Sequence, residues 1–518
     1  MRQQFGMAWL VTKREMLDQM RDWRILVPMI VLTAFFPYLM TVAAQVAINY
    51  INQYGASLIG QQILPFLMLV VGFFPVTVSL VVALEAFVGE KERGTIEPLL
   101  TSPLADWQLY IGKLMAGTII PLTVSYIGIA LYLFGLWRQE IAWPNVSYTI
   151  QTLALTAVQT VLMVSAAIVI STQATTVRSA NLLASFIVIP AALLVQGESA
   201  MMFLGGTNGT NNNILWLAVL GVAIISGLTV RLGLVHFKRE NLIGREIDIL
   251  NMSWVAQTFW RAFSGSETAP ALWRFLMGRW KLLRGAVPAE SEMLPLQEAL
   301  WLDFQGLGVW YRSEVPKTLR KMSTAIWITL ALGIVGLLVA YFYVDTQVSA
   351  GNLNAEKINQ AKIAVRDAVL KAGISPQFLF WHNFQAELGI TALGLFSFGV
   401  LGLVAYIGNF SLIGGVLAAS KIVGVSPLLV FATGILPHGV FELTSIILAS
   451  SAVLYIGVEV VTPKDGRTIG EAFIISLADL SKILFGVCVP LLIVAALVES
   501  WITPRIFVHY LGNVLPIK

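Results

Sequence analysis

The feature that most constrains this chain is a series of uninterrupted apolar runs, each about 20 residues or more and so long enough to cross a bilayer core of roughly 30 Å. In the first half they lie at 25–47, 63–88, 111–136, 148–171, 180–196 and 214–236. A backbone inside hydrocarbon must satisfy its own hydrogen bonds, so each run is predicted to be a helix. Of the 518 residues, 57% are hydrophobic and only 12% charged, about half the charge of an ordinary soluble domain. The formal net charge of +4 comes from basic residues beside the apolar runs, not from a separate basic domain. That excludes nucleic acid as the expected partner and leaves the lipid bilayer. The one cysteine, Cys488, has no second thiol for a disulfide. Residues 1–24 are polar and charged, with no cleavable-signal pattern. They read as an amphipathic helix on the membrane surface, with Trp9, Val11, Met16, Leu17, Met20 and Trp23 as its apolar residues.

Basic residues set the expected orientation. Arg2, Lys13, Arg14, Arg21 and Arg24 precede the first run, Lys91, Arg93 and Lys113 follow the second, Arg178 follows the fourth, and Lys238, Arg239 and Arg245 follow the sixth. The alternate loops hold only Arg138. This predicts a multi-pass protein of the cell membrane with a cytoplasmic N-terminus. Three regions are expected: a transmembrane domain at 1–250, a cytoplasmic or interfacial amphipathic linker at 251–322 bearing Trp254, Trp260, Trp273, Trp280, Trp301 and Trp310, and a second transmembrane domain at 323–518. In the last, crossings are predicted at 323–344, 386–408, 427–457 and 474–500, with an amphipathic helix at 354–372. The piece 409–424 is short and rich in small residues, and reads either as a re-entrant half-helix or as a fifth thin crossing. The side of the C-terminus depends on which. The fold class is all-α polytopic, six helices followed by four or five.

Between the second and third runs lies G-E-K-E-R-G-T-I-E-P-L-L-T-S-P, starting at Gly89. Charges open it, Ile96, Leu99 and Leu100 form a small apolar face, and Ser102 before Pro103 predicts a helix start. By physics alone it is either a charged loop or a short helix that docks on a cytoplasmic partner. The stretch resembles the type-2 ABC exporter permease family, matching at Glu90, Glu92, Arg93, Gly94, Thr95, Glu97, Leu99, Leu100, Ser102 and Pro103. The K-R-E-M-L-D-Q-M-R-D-W-R run ending at Arg24, the turn ending at Asn181 and F-K-R-E-N-L after the sixth run resemble that family too. The resemblance implies a six-helix half that forms a homodimer or heterodimer. It also implies that Glu90, Glu92, Arg93, Gly94, Thr95, Glu97, Leu99 and Leu100 press on a separate ABC ATPase subunit, with Gly94 and Pro98 shaping the segment. No G-x-x-x-x-G-K-[ST] loop occurs in the sequence, so ATP and Mg²⁺ are expected on the partner, with no cofactor and no catalytic residue in this chain.

In the last third, Leu436-Pro437-His438-Gly439 interrupts an apolar run and Glu442 follows. With the helix resumed after Pro437, His438 and Glu442 lie one turn apart on one face. Such a pair binds a cation, relays a proton or locks helices together, and His382, Asn383, Glu387 and Asn409 are its candidate partners. Two ligands fall short of a zinc site, which uses at least three side chains, so no metal is expected. Ser445 and Ser450 are weak candidates for the nucleophile of an intramembrane hydrolase. The F-W-H-N-F-x-A-E-L, G-N-F-S-L-I-G-G and G-I-L-P-H-G-V-F-E-L stretches, with W-Y-R-S-E-V-P-K-T-L-R-K before Ser323, resemble the stage II sporulation protein M family over about 300–505. That family's five crossings favour 409–424 as a crossing. Together the residues point to an exporter permease with an accessory membrane domain. The alternative is a non-transporting envelope scaffold driven by an ABC ATPase. Sodium ion, a hydrophobic drug and a lipid-like molecule all stay open as substrates.

Overall fold

The computed structural model describes residues 2–54, 57–95, 101–174, 176–177, 180–181, 194–199, 202, 214–237, 252–265, 271–283, 285, 287, 289–290, 293, 295–349, 375–421, 424–462 and 467–511. Among these there are helices and turns but no strand. The chain divides into two compact units, Met1–Leu250 and Asn251–Lys518. Eight helices among the described residues are long and apolar enough to cross a membrane: Leu26–Asn49, Asp106–Arg138, Val146–Thr172, Leu215–Val235, Ser323–Thr346, Val400–Ser420, Pro427–Val461 and Gly470–Trp501. The protein is all-α and polytopic.

The first unit holds α1 (Arg2–Arg21), α2 (Trp23–Tyr54), α3 (Ser57–Glu92), α4 (Asp106–Arg138), α5 (Val146–Gln173) and α6 (Ile214–His236). Helices run past their apolar runs because each added residue gains a backbone bond at little further cost. At 36 residues, α3 is about 54 Å long, so its charged last turn projects beyond the hydrocarbon. On α2 a flank of Val27, Ile30, Val31, Phe35, Tyr38, Val42 and Val46 is exposed while Met29 and Ala44 are buried. This is the partition of a helix with one side against lipid and one against protein. Thr33 and Thr41 return their hydroxyls to the Met29 and Pro37 carbonyls at 2.6 and 2.7 Å, which hides both hydroxyls from an apolar surround. Phe87, Tyr110, Val164, Ile168 and Phe237 form one core cluster, joining α3, α4 and α5 to the residue that follows α6. The predicted run at 180–196 lies mostly outside the described residues, as do Arg178, Lys238, Arg239 and Arg245. The expected helix start at Ser102-Pro103 is displaced: those residues form a bend and α4 begins at Asp106. The side chain of Gln108 reaches back to accept the Ala105 N–H at 2.8 Å, which fixes the start there.

The second unit opens with three helices in the predicted interfacial stretch, α7 (Met252–Ser264), α8 (Ala271–Leu283) and α9 (Leu296–Lys321). Then come α10 (Ser323–Ser349), α11 (Pro376–Leu395) and α12 (Val400–Ser420). The helix α13 spans Pro427–Val461; α14 joins Ile469–Ile483 to Val489–Trp501; α15 is Thr503–Leu511. The expected amphipathic helix at 354–372 lies outside the described residues.

One boundary is corrected. The predicted crossing 386–408 is two helices, and 409–424 is not a separate half-helix, because α12 runs unbroken from Val400 to Ser420. The break is a tight turn. The Gly399 N–H bonds back to the Gly394 carbonyl at 2.8 Å, with Phe398 and Gly399 in the left-handed region at φ 51° and 90°. An apolar run shows no such reversal because Phe398 gives no turn signal. The turn fits because α13 presents Gly457, where a Cβ would collide with the Phe398 carbonyl oxygen. A Lys421–Asp345 ion pair at 2.7 Å joins the ends of α10 and α12, so these two run parallel with α11 returning between them in sequence. α13 and α14 continue the alternation.

The Gly457 contact makes a prediction. Gly457→Ala should destabilise the protein by about 1–3 kcal/mol through forced backbone displacement, read as a lowered Tm in detergent. Gly408→Ala, with no atom within 4 Å of its added Cβ, should leave Tm nearly unchanged. Equal shifts would contradict the close approach.

Candidate functional site

The start of the exporter-like connector is described through Thr95. Helix α3 ends there by a defined device. The Thr95 N–H bonds the Glu90 carbonyl at 3.0 Å and the Gly94 N–H bonds the Lys91 carbonyl at 3.1 Å, with Gly94 at φ 67°. This pair of hydrogen bonds around a left-handed residue is the Schellman stop, which favours glycine because it lacks a Cβ. Arg93, Gly94 and Thr95 are exposed. Glu97, Leu99, Leu100 and Pro98 lie outside the described residues.

Just behind the stop sits a charged hub that joins Glu90 and Lys113, both named from the sequence, to Glu15, which was not. Lys113 of α4 is 1% exposed at its side chain and holds Glu15 of α1 at 3.1 Å and Glu90 of α3 at 3.0 Å. Its ammonium also donates to the Ala86 carbonyl at 2.7 Å and lies 5.0 Å from the Phe87 ring centre, a favourable cation–π placement. Burial pushes the Glu90 carboxyl above the usual carboxylate range, with Lys113 pulling the other way. One cation thus ties three helices. Next to it, Lys91 donates to the Thr172 and Ala174 carbonyls, both at 3.0 Å, where the end of α5 leaves carbonyls without helical partners. Glu92 accepts the Val177 N–H at 2.7 Å. The residues flanking the connector therefore brace α1, α3, α4 and α5 to one another. The helix α1 is pressed onto α4 where Thr12 bonds the Gly112 carbonyl at 3.1 Å.

The polar residues of the second unit fall into two groups at different depths. His438 Nε2 is 3.9 Å from Glu442 Oε2, and His438 Nδ1 is 3.1 Å from the Thr503 hydroxyl. Glu387, 2% exposed, instead accepts from the Ser445 hydroxyl at 2.7 Å, and Ser445 also touches the Cys488 carbonyl at 3.4 Å. Ser445 lies seven residues beyond His438, about 10 Å along the helix. His382 stacks on Phe378, and Asn409 is half-buried on α12.

Pro437 does not break α13. A π turn at Phe431–Ile435 precedes it, and a matching π turn at Leu484–Cys488 precedes Pro490 in α14. A proline withholds its N–H, and a widened turn accommodates the loss without ending the helix. In α14 the Tyr311 hydroxyl donates to the Gly486 carbonyl at 2.9 Å. A third charged group, not foreseen, joins Asp479 and Lys482 at 2.7 Å, with Lys321 at 3.1 Å and Glu314 at 3.7 Å. It pins the end of α9 onto α14.

The hub at Lys113 predicts an asymmetric mutational response. Lys113→Met should cost about 3 kcal/mol, the low end for a broken buried pair because both carboxylates keep some water contact. Glu15→Gln should cost less, since Glu90 still answers the ammonium. Chemical or thermal unfolding of the purified variants checks the order.

Comparisons with known proteins divide the chain at the same two levels. Residues 9–231 match the family described as ABC-2 family transporter protein. Residues 328–504 match the family described as Stage II sporulation protein M. A search of curated proteins finds no match to the chain. With eight helices among its described residues long and apolar enough to cross a membrane, the chain is a multi-pass membrane protein, similar over 9–231 to the ABC-2 family transporter proteins and over 328–504 to Stage II sporulation protein M.

Proposed function

We propose that the first unit is the membrane subunit of an ATP-driven exporter and that the connector at 89–101 transmits work from a separate ATPase subunit. The observation that carries this reading is the brace behind the connector. A segment that is pushed moves helices only if its root is fixed to them, and Lys113, Lys91 and Glu92 fix it to four. The ATPase supplies the nucleotide and Mg²⁺ sites, and the permease works as a homodimer or heterodimer. The N-terminus is cytoplasmic, in keeping with the basic residues before α2. The regions 1–250, 251–322 and 323–518 then act as permease, interfacial linker and accessory membrane domain. His438, Glu442, Glu387, His382 and Asn409 belong to the accessory part.

The test is ATP turnover of the ATPase reconstituted with the full-length permease in vesicles. Arg93→Ala removes an exposed charge without touching the brace, whereas Glu92→Ala also releases the Val177 N–H. Each should lower permease-stimulated turnover by about fivefold or more, the scale of a coupling free energy near 1 kcal/mol. Gly94→Pro should do the same by reshaping the helix stop. Unchanged stimulation in all three would end the coupling role.

A further inference from the structure

A second carboxylate joins the pair formed by His438 and Glu442. Glu499 lies near the end of α14, and one ligand atom from each of His438, Glu442 and Glu499 falls within 4.8 Å of the others. All three residues are half-buried, and they are the one such group of three among the described residues. Glu442 and His438 come from successive turns of α13. Glu499 comes 57 positions later in the chain, from a helix running the opposite way.

We propose that His438, Glu442 and Glu499 bind a divalent first-row transition ion of the Zn²⁺ or Mn²⁺ class. Three arguments from the geometry converge. First, the spacing is close to what an ion needs. Donors around a tetrahedral ion with bonds of about 2.0 Å sit roughly 3.3 Å apart, and His438 Nε2 and Glu442 Oε2 are 3.9 Å apart, a gap that side-chain torsions close. Second, the histidine is oriented as a ligand. Its Nδ1 is held 3.1 Å from the hydroxyl of Thr503, a residue only 7% exposed. Donation of the Nδ1 proton to that hydroxyl leaves the Nε2 lone pair facing the carboxylates, the arrangement of histidines that bind metals. Third, the charges balance. Two carboxylates and a neutral imidazole cancel a 2+ ion, which suits a half-buried site on apolar helices, where net charge is costly. An imidazole among the donors selects transition ions over Mg²⁺ and Ca²⁺, which favour all-oxygen shells.

Three protein ligands leave a position for water or a substrate atom. The site staples the first half of α13 to the end of α14. It uses none of the residues of the connector and stands whether or not the coupling reading holds.

The experiment uses the full-length protein purified in detergent through a tag free of histidine. After chelator treatment and exposure to micromolar Zn²⁺ or Mn²⁺, metal bound is measured by mass spectrometry on the gel-filtered peak. The wild type should hold about one ion per chain and show a raised Tm with metal. His438→Asn and Glu499→Gln should each fall to background and lose the Tm shift. Thr503→Val should weaken binding roughly 10- to 100-fold. His382→Asn should bind as the wild type does. Variants are scored only on a monodisperse peak. Where one fails to give it, the wild-type stoichiometry and Tm shift decide. No metal on the wild type, or occupancy retained in H438N and E499Q, would show the cluster to be an ion-paired helix lock and overturn the proposal. Mg²⁺ or Ca²⁺ bound as tightly as Zn²⁺ would overturn the ion class.

Discussion

Inside hydrocarbon no water is available to complete a polar group, and much of this structure answers that shortage. The main chain answers it by closing its bonds within helices. The hydroxyl side chains answer it locally, as Thr33 and Thr41 do by bonding the carbonyl four residues back. The same back-bond recurs at Thr118, Thr160 and Thr391. Charged groups have no such local remedy, so they gather. Lys113 collects two carboxylates and a carbonyl, and Asp479 and Lys482 draw in residues of α9. Each gathering place is also where separate helices are held in register.

The two kinds of polar cluster do different work in the two units. In the first, the gathered charges stand at one end of the bundle, directly behind the exposed Arg93–Thr95 segment. They tie four helices together at that end. In the second, Glu387 with Ser445 lies about 10 Å deeper along α13 than His438, so the unit has one polar layer well inside and another nearer the end of its helices. Removal of one partner from a buried charged pair costs more than formation of the pair gained. The hubs are therefore costly to break without being large net sources of stability.

The apolar runs made the spanning helices legible, because a run of that length has few other structures open to it. What they hid was where helices turn. Phe398 sits in a left-handed turn with no sequence signal of its own, and only Gly399 beside it hints at one. The run therefore read as one crossing with a leftover piece, where the chain makes a hairpin. The spacing of His438 and Glu442 was legible because both lie on one helix. Glu499, Lys113 with Glu15, and Asp479 with Lys482 and Glu314 were not, wherever the partners come from helices far apart in sequence. Periodicity reports the face of one helix and says nothing about which other face it meets. Gly94 ends α3 with a positive φ and paired backbone hydrogen bonds, a conformation that favours glycine.

The paired π turns carry a consequence for length. A π turn holds one residue more than the helix on either side needs, and one residue is about 100° of rotation. The stretch of α13 after Phe431–Ile435 is thus wound round by more than a quarter circle relative to an uninterrupted helix begun at Pro427. Rewinding that turn as plain α-helix with every residue kept would lengthen the rod by about 1.5 Å and swing His438 and Glu442 away from the neighbour they now face, whereas excision of one residue there would leave them facing the same way. The widened turn absorbs one surplus residue so that these side chains keep their azimuth, and its twin in α14 does the same for Glu499.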